Sequence, residues 1–133
     1  MLPQGSTPAE IVHTFIAAFI AAWPRRDAAG LGPFFAESAV YHNLPMEAVS
    51  GRDAIVATFA EFMEMGGEVD VDILHMATNG RIVMTERIDY FVRDGTTLTL
   101  PLMGIIEVRD GAIEAWRDYF DLGQLTPKIP AGA

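Results

Sequence analysis

Arg81-Ile82-Val83-Met84-Thr85-Glu86-Arg87-Ile88-Asp89-Tyr90-Phe91-Val92 lies between two turn signals, Asn79-Gly80 and Asp94-Gly95. It is rich in β-branched and aromatic residues, the composition of a strand. Side chains alternate along a strand, so Val83, Thr85, Arg87, Asp89 and Phe91 share one face. Ile82, Met84, Glu86, Ile88 and Tyr90 share the other. Both faces are partly apolar, which predicts a strand inside a sheet. An Arg and an Asp turned toward an apolar interior need partners, because an isolated buried charge is very costly. Taken alone, Arg87 and Asp89 read as a structural ion pair.

The neighbouring sequence extends this strand into a meander. Upstream, Val69 to Met76 alternates imperfectly and turns back at Asn79-Gly80. Downstream, Asp94-Gly95 leads into Thr97 to Val108, where Pro101 suggests a bulge or a locally unpaired position. Asp110-Gly111 then turns into Ala112 to Asp121. Turns of the Asn-Gly and Asp-Gly type between apolar strands predict antiparallel hairpins.

Ahead of the strands the period changes to that of helices. Thr7-Pro8-Ala9-Glu10 combines an N-cap, a proline at the first helical position and a capping-box glutamate. Ile11, Val12, Phe15, Ile16, Phe19, Ile20 and Trp23 follow at helical spacing and make a wide apolar stripe. Pro24 to Asp27 ends that helix, and Asp27 caps a short one through Leu31. Phe34 to Pro45 passes into a first strand with Tyr41 and Asn43 on one face. Gly51-Arg52-Asp53 starts another helix, with Ile55, Val56, Phe59, Phe62 and Met63 as its stripe and Gly66-Gly67 as its stop. Met1 to Ser6 reads as a loose leader and Gly123 to Ala133 as a surface tail. Helices followed by an antiparallel sheet make an α+β pattern in a single domain spanning residues 1–133. Such a sheet, bent by bulges and backed by the first helix, encloses a cone with a small-molecule pocket at its mouth.

Composition narrows the function. The 133 residues include 50% hydrophobic and 20% charged side chains, a globular balance. The net charge of −9 argues against nucleic acid as a partner. The absence of cysteine excludes disulfides and thiol chemistry. No run is long and apolar enough to span a bilayer and no signal peptide is visible, so the expected location is cytoplasmic. His13, His42 and His75 show no metal-ligand spacing, and the methionines read as core or pocket filler.

On the last strand, Trp116, Asp118 and Phe120 share a face, as Arg87 and Asp89 do between Val83 and Phe91. If both faces line the cone, two carboxylates and one guanidinium meet in an apolar cavity. One Arg can hold both through its fork of five donors. Coupled carboxyls share protons unequally, so one can serve as acid and the other as base. Tyr41 and Asn43, if inward, add polar atoms that can hold water.

Tyr41-His42-Asn43-Leu44-Pro45, Thr85-Glu86-Arg87-Ile88-Asp89 and Trp116-Arg117-Asp118-Tyr119-Phe120-Asp121 resemble three sequence blocks of the limonene-1,2-epoxide hydrolases. That family lies within the NTF2-like, SnoaL-like group of cone folds. The resemblance runs from about Thr7 to Leu122 and includes the helix start Gly51-Arg52-Asp53-Ala54. It implies a curved mixed, mainly antiparallel sheet packed against N-terminal helices. It also implies that Asp118 is the general base, Asp89 the general acid and Arg87 the bridge, with Tyr41 and Asn43 holding water. The expected activity is cofactor-independent addition of water to a hydrophobic, cyclic or terpenoid-like epoxide. Phe91, Leu100, Leu102, Trp116 and Phe120 are the expected substrate-pocket residues, and no metal is expected. A homodimer through the outer sheet face is expected from the outward set Ile82, Met84, Ile88 and Tyr90.

Two other classes fit the same fold. A ketosteroid isomerase-like or polyketide cyclase-like enzyme would use an Asp as base on a carbon acid, but the first helix offers no Tyr as oxyanion donor. A non-catalytic binding module would be favoured if Arg87, Asp89 and Asp118 faced solvent.

Overall fold

The computed structural model describes residues 5–125. Helix α1 (Pro8–Arg25) leads into a 3-10 turn (Ala29–Phe34), strand β1 (Phe35–Asn43) and a two-residue strand β2 (Val49–Ser50). Helix α2 (Arg52–Met63) follows, then strands β3 (Glu68–Asn79), β4 (Ile82–Arg93), β5 (Thr96–Arg109) and β6 (Ala112–Tyr119), and a 3-10 turn (Leu122–Leu125). The calls on Met1 to Gln4 and on the tail beyond Leu125 lie outside the described residues.

Helix α1 begins where its sequence dictates. The Thr7 hydroxyl accepts from the Glu10 amide at 3.2 Å, and the Glu10 carboxylate accepts from the Thr7 amide at 2.8 Å. This reciprocal box satisfies two donors that the helix itself leaves unpaired. Pro24 falls in the last turn rather than ending it, and Arg26 closes the helix in the left-handed region at φ 54°. The stripe buries Ile11, Val12, Phe15, Ile16 and Trp23. Asp27 caps a 3-10 turn by accepting from the Gly30 amide at 3.2 Å, in place of the α-helix expected through Leu31.

The sheet order is β2-β1-β6-β5-β4-β3. Strands β3 to β6 form the expected antiparallel meander, and β1 joins β6 in parallel, which makes the sheet mixed. The hairpin loops hold two residues each. Asp94-Gly95 and Asp110-Gly111 have positive φ at both positions, the mirror-image turn that matches strand twist. The first loop is Gly80-Arg81 rather than Asn79-Gly80, because Asn79 still pairs with Ile82.

Of the two readings of Pro101, the structure bears out the locally unpaired position and not the bulge, since the residue sits in unbroken register opposite Ile88. Strand β6 pairs β5 only from Met103, so at Pro101 no strand on that side is deprived of a donor. The register shifts lie elsewhere, between Ile73 and His75, between Glu107 and Val108, and between Phe35 and Val40. These shifts bend the sheet around the helices. Phe15 sits at the centre of the core, with ring centroids 5.3 Å from Phe35, 6.1 Å from Phe59 and 5.0 Å from Trp116. Edge-to-face and tilted pairs of this kind add attraction beyond buried area.

Candidate active site

Register and alternation bring the polar residues together. Arg87 and Asp89 point inward from β4, whose pairing with β5 sets Arg87 opposite Leu102 and Thr85 opposite Gly104. On the other side of β5, Gly104 is opposite Asp118 of β6. The parallel β1–β6 pairing then sets Tyr41 beside Trp116 and Asn43 beside Asp118. Tyr41, Asp89 and Asp118 border two adjoining cavities, with Arg87 on one of them and Asn43 on the other.

Arg87 is 3% exposed and Asp118 6%, so the set does not face solvent. The guanidinium spends all five of its N–H donors. Nε and Nη2 donate to Asp89 at 3.3 Å each. Nη1 and Nη2 donate to Asp118 at 3.2 and 3.1 Å. The remaining Nη1 hydrogen goes to the Thr85 hydroxyl at 3.1 Å. A planar fork with five donors has none left over. The Arg87 carbon also lies 5.6 Å from the Trp116 ring centroid, a distance at which ring and cation attract.

Asp118 receives a third donor, the Trp116 indole N–H, at 2.8 Å on Oδ1. Its two oxygens offer about four acceptor sites in all. Oδ1 accepts from Arg87 and Trp116 and Oδ2 from Arg87 alone, so the open site is on Oδ2. Tyr41 and Asn43 contact one another at 3.2 and 3.4 Å through hydroxyl and amide.

Burial raises the Asp89 carboxyl above the ordinary carboxylate value, Arg87 opposes this, and the nearby Asp118 adds to it. Burial also pushes the Tyr41 hydroxyl up, so it stays protonated and can donate. For Arg87 burial works against the charge, but Asp118 and Asp89 outweigh it and push the group up.

The cavity has two adjoining parts. An outer chamber of about 670 Å³ is lined by Trp23, Phe62, Phe91, Leu98, Leu102 and Phe120, among others. An inner chamber of about 50 Å³ is lined by Phe15, Ile16, Phe59, Val71 and Trp116, with Arg87 at its edge. Phe19, Tyr41, Asp89 and Asp118 border both. Leu100, expected in the substrate pocket, is buried opposite Asp89 and borders neither part. Sequence reasoning missed three contributors. Thr85 shares the Arg87 face, and Gly104 is a glycine in a strand interior, which signals close approach. Phe19 lies on the helix stripe, where nothing distinguishes a core residue from a pocket wall.

Among the described residues, no group of three or more His, Cys, Asp or Glu side chains is disposed to hold a metal ion. No helix among them is long and apolar enough to cross a membrane.

The family model for the limonene-1,2-epoxide hydrolase catalytic domain matches residues 7–130. Epoxide hydrolase EphG of Mycobacterium tuberculosis is 29% identical over 107 residues, covering 80% of this chain and 71% of that protein. The structure of an M. tuberculosis LEH-like epoxide hydrolase is 25% identical with a TM-score of 0.69, over 86% of this chain and 85% of the other. A Catenulispora acidiphila protein with a ketosteroid isomerase-like fold, solved with trimethylamine, is 27% identical with a TM-score of 0.72, over 90% of each chain. An NTF2-like protein of unknown function from Cytophaga hutchinsonii shares the fold at 17% identity and a TM-score of 0.68, over 93% of this chain and 98% of that one.

Proposed function

The chain belongs to the limonene-1,2-epoxide hydrolase family, and from that premise we propose that it is an epoxide hydrolase acting on hydrophobic epoxides in one cofactor-free step. The observation that carries this reading is the saturated Arg87 fork holding Asp89 and Asp118 at the junction of two apolar chambers.

The chemistry follows from the geometry. A water bound at the open site of Asp118 Oδ2, and steadied by Tyr41 and Asn43, is positioned to lose a proton to that carboxylate. Its oxygen bonds to an epoxide carbon as the carbon–oxygen bond of the ring breaks. Asp89, whose burial favours the protonated form, donates its proton to the departing oxygen. The product is a vicinal diol, with the proton now on Asp118 and missing from Asp89. Transfer of that proton back to Asp89, through solvent or across the pair, restores the starting state. Ring strain drives the opening, while the apolar walls orient the substrate and limit bulk water. Arg87 keeps its charge throughout and fixes the separation of the two carboxyls.

Single turnover in heavy-oxygen water tests the route. Labelled diol on the first turnover supports direct attack by water. Unlabelled diol, with label entering the protein, would mean that a carboxylate is the nucleophile and would reject this mechanism.

Assembly is proposed on separate grounds. Val40, Met84, Met103 and Tyr119 are exposed on neighbouring strands of the outer sheet face. These apolar side chains, set among Glu86, Glu107 and Arg117 of the same face, support a homodimer through it. Tyr90 of the expected outward set donates to Asp72 at 3.0 Å.

A further inference from the structure

We propose that the preferred substrate is an unsymmetrical epoxide, with one short apolar arm that enters the inner chamber and one long or cyclic apolar arm that fills the outer one. The proposal rests on the epoxide hydrolase reading and specifies what that site selects.

The argument begins with where the reacting atoms must sit. Only Phe19, Tyr41, Asp89 and Asp118 border both chambers, and three of them are the acid, the base and a water holder. An epoxide within reach of Asp89 and of a water on Asp118 therefore lies at the junction. Substituents on its two carbons then project into different spaces. The outer chamber, at about 670 Å³, has the size of an ordinary small-molecule pocket. The inner one, at about 50 Å³, is far smaller. A single water needs about 10–15 Å³ on this measure, so the inner space admits roughly three to five water-sized groups.

Away from its polar rim of Tyr41, Arg87, Asp89 and Asp118, the inner chamber is walled by Phe15, Ile16, Phe59, Val71 and the Trp116 ring. The one guanidinium at its edge has given every N–H to Asp89, Asp118 and Thr85. The indole N–H is committed to Asp118. A buried water wants two to four polar partners, and the free acceptors here lie at the junction rather than in the chamber. A short hydrocarbon group loses nothing by entering and gains contact with the aromatic walls. A longer group meets Phe15 and Phe59, which are packed against each other in the core.

A homologous series of cis-disubstituted epoxides tests this directly. One arm is held at octyl while the other runs through hydrogen, methyl, ethyl, butyl and hexyl, and kcat/KM for diol formation is measured. The expected result is a maximum at methyl or ethyl and a fall of about tenfold or more by butyl, the scale on which a closed apolar pocket discriminates chain length. With methyl held fixed, lengthening the other arm from butyl to decyl should change kcat/KM by less than about threefold, because the outer chamber, at about 670 Å³, has room for either. Ile16→Phe, which fills the inner chamber, should lower the ethyl-to-hydrogen ratio by about tenfold. Should that variant not fold, Val71→Ala enlarges the same space and should move the cut-off from ethyl toward butyl. Activity that is flat or rising from methyl through hexyl would overturn the proposal. So would variants that change every substrate by the same factor. If no member of the series gives diol, the hydrolase reading itself falls and takes this proposal with it.

Discussion

Replacing Gly104 with alanine adds one carbon at the most crowded point of the site. A Cβ built there would lie 2.5 Å from Arg87 Nη1, 2.7 Å from Asp118 Oδ1 and 2.9 Å from Thr85 Oγ1. Non-bonded heavy atoms settle at about 3.5 Å or beyond, so the guanidinium would have to retreat by roughly 1 Å. A surface arginine would swing aside at little cost, but this one is pinned by five hydrogen bonds. Its Nη1 bonds, at 3.2 and 3.1 Å, are the first to be lost. Overpacking usually costs about 1–3 kcal/mol, and hydrogen bonds to charged groups contribute about 1.5–3 kcal/mol each. A net loss of about 2–4 kcal/mol follows, or roughly 10 °C in Tm for a domain of this length. Displacing catalytic groups by about 1 Å also costs on the order of a hundredfold in kcat/KM. Thermal melting and steady-state diol formation measure the two effects. A variant that melts within 2 °C of the parent (about half a kcal/mol) and keeps half its activity would refute the view that the Arg87 fork is rigidly seated.

Asp118→Asn and Asp89→Asn should each lower kcat by about a hundredfold or more with the fold intact by circular dichroism, since base and acid act in the same step. Retained activity in either variant would remove that residue from the mechanism. The two should differ in stability. The folded protein holds the Asp89 proton more tightly than the unfolded chain, so its stability falls as pH rises from the ordinary carboxylate range through the raised Asp89 value. Asp89→Asn removes that term, so its Tm advantage over the parent should grow with pH across that window; a constant difference would contradict it. Parent kcat/KM should fall as pH rises through the same raised value, as the acid loses its proton. Arg87→Ala should cost about 3–5 kcal/mol in denaturant unfolding at neutral pH by leaving Asp118 and Asp89 without their shared partner, whereas a loss under 1 kcal/mol would argue that water replaces it. Met103→Glu should convert a dimer into a monomer by light scattering, and a parent protein already monomeric at micromolar concentration would dismiss the outer-face interface.

Much of the site was legible because strands alternate. Val83, Thr85, Arg87, Asp89 and Phe91 had to share a face once β4 was placed, and its dihedrals follow from its residue types and flanking turns. The Thr7–Glu10 box and the Asp94-Gly95 and Asp110-Gly111 loops were equally local and equally readable. What escaped depends on distant pairing or on shape. Nothing near Tyr41 announces that β1 runs parallel to a strand some seventy residues later. The two-residue β2 is too short to carry a period, and the shift between Ile73 and His75 leaves no turn residue to mark it. Pro101 left two readings open because its effect depends on whether a neighbouring strand reaches that far. Leu100 misled because alternation gives a face but not a cavity boundary. Gly104 could have been suspected as a glycine within a strand, but only the structure says which atoms need its space.

The parallel joining of β1 to β6 has a consequence for how the protein acquires its activity. Strands β3 to β6 are linked by two-residue loops and can zip together from sequence-local contacts. Strand β1 is made early in synthesis and has a local partner in the two-residue β2, but its long pairing into the sheet is with Ala112–Tyr119, near the other end of the chain. Closing so long a loop is entropically slow, which places this contact late in folding. Arg87 and Asp89 can therefore be in place on the meander while Tyr41 and Asn43 are still elsewhere. Competence to hold the attacking water would then arrive at the final closure, and a chain stalled before β6 emerges would carry an acid without its base.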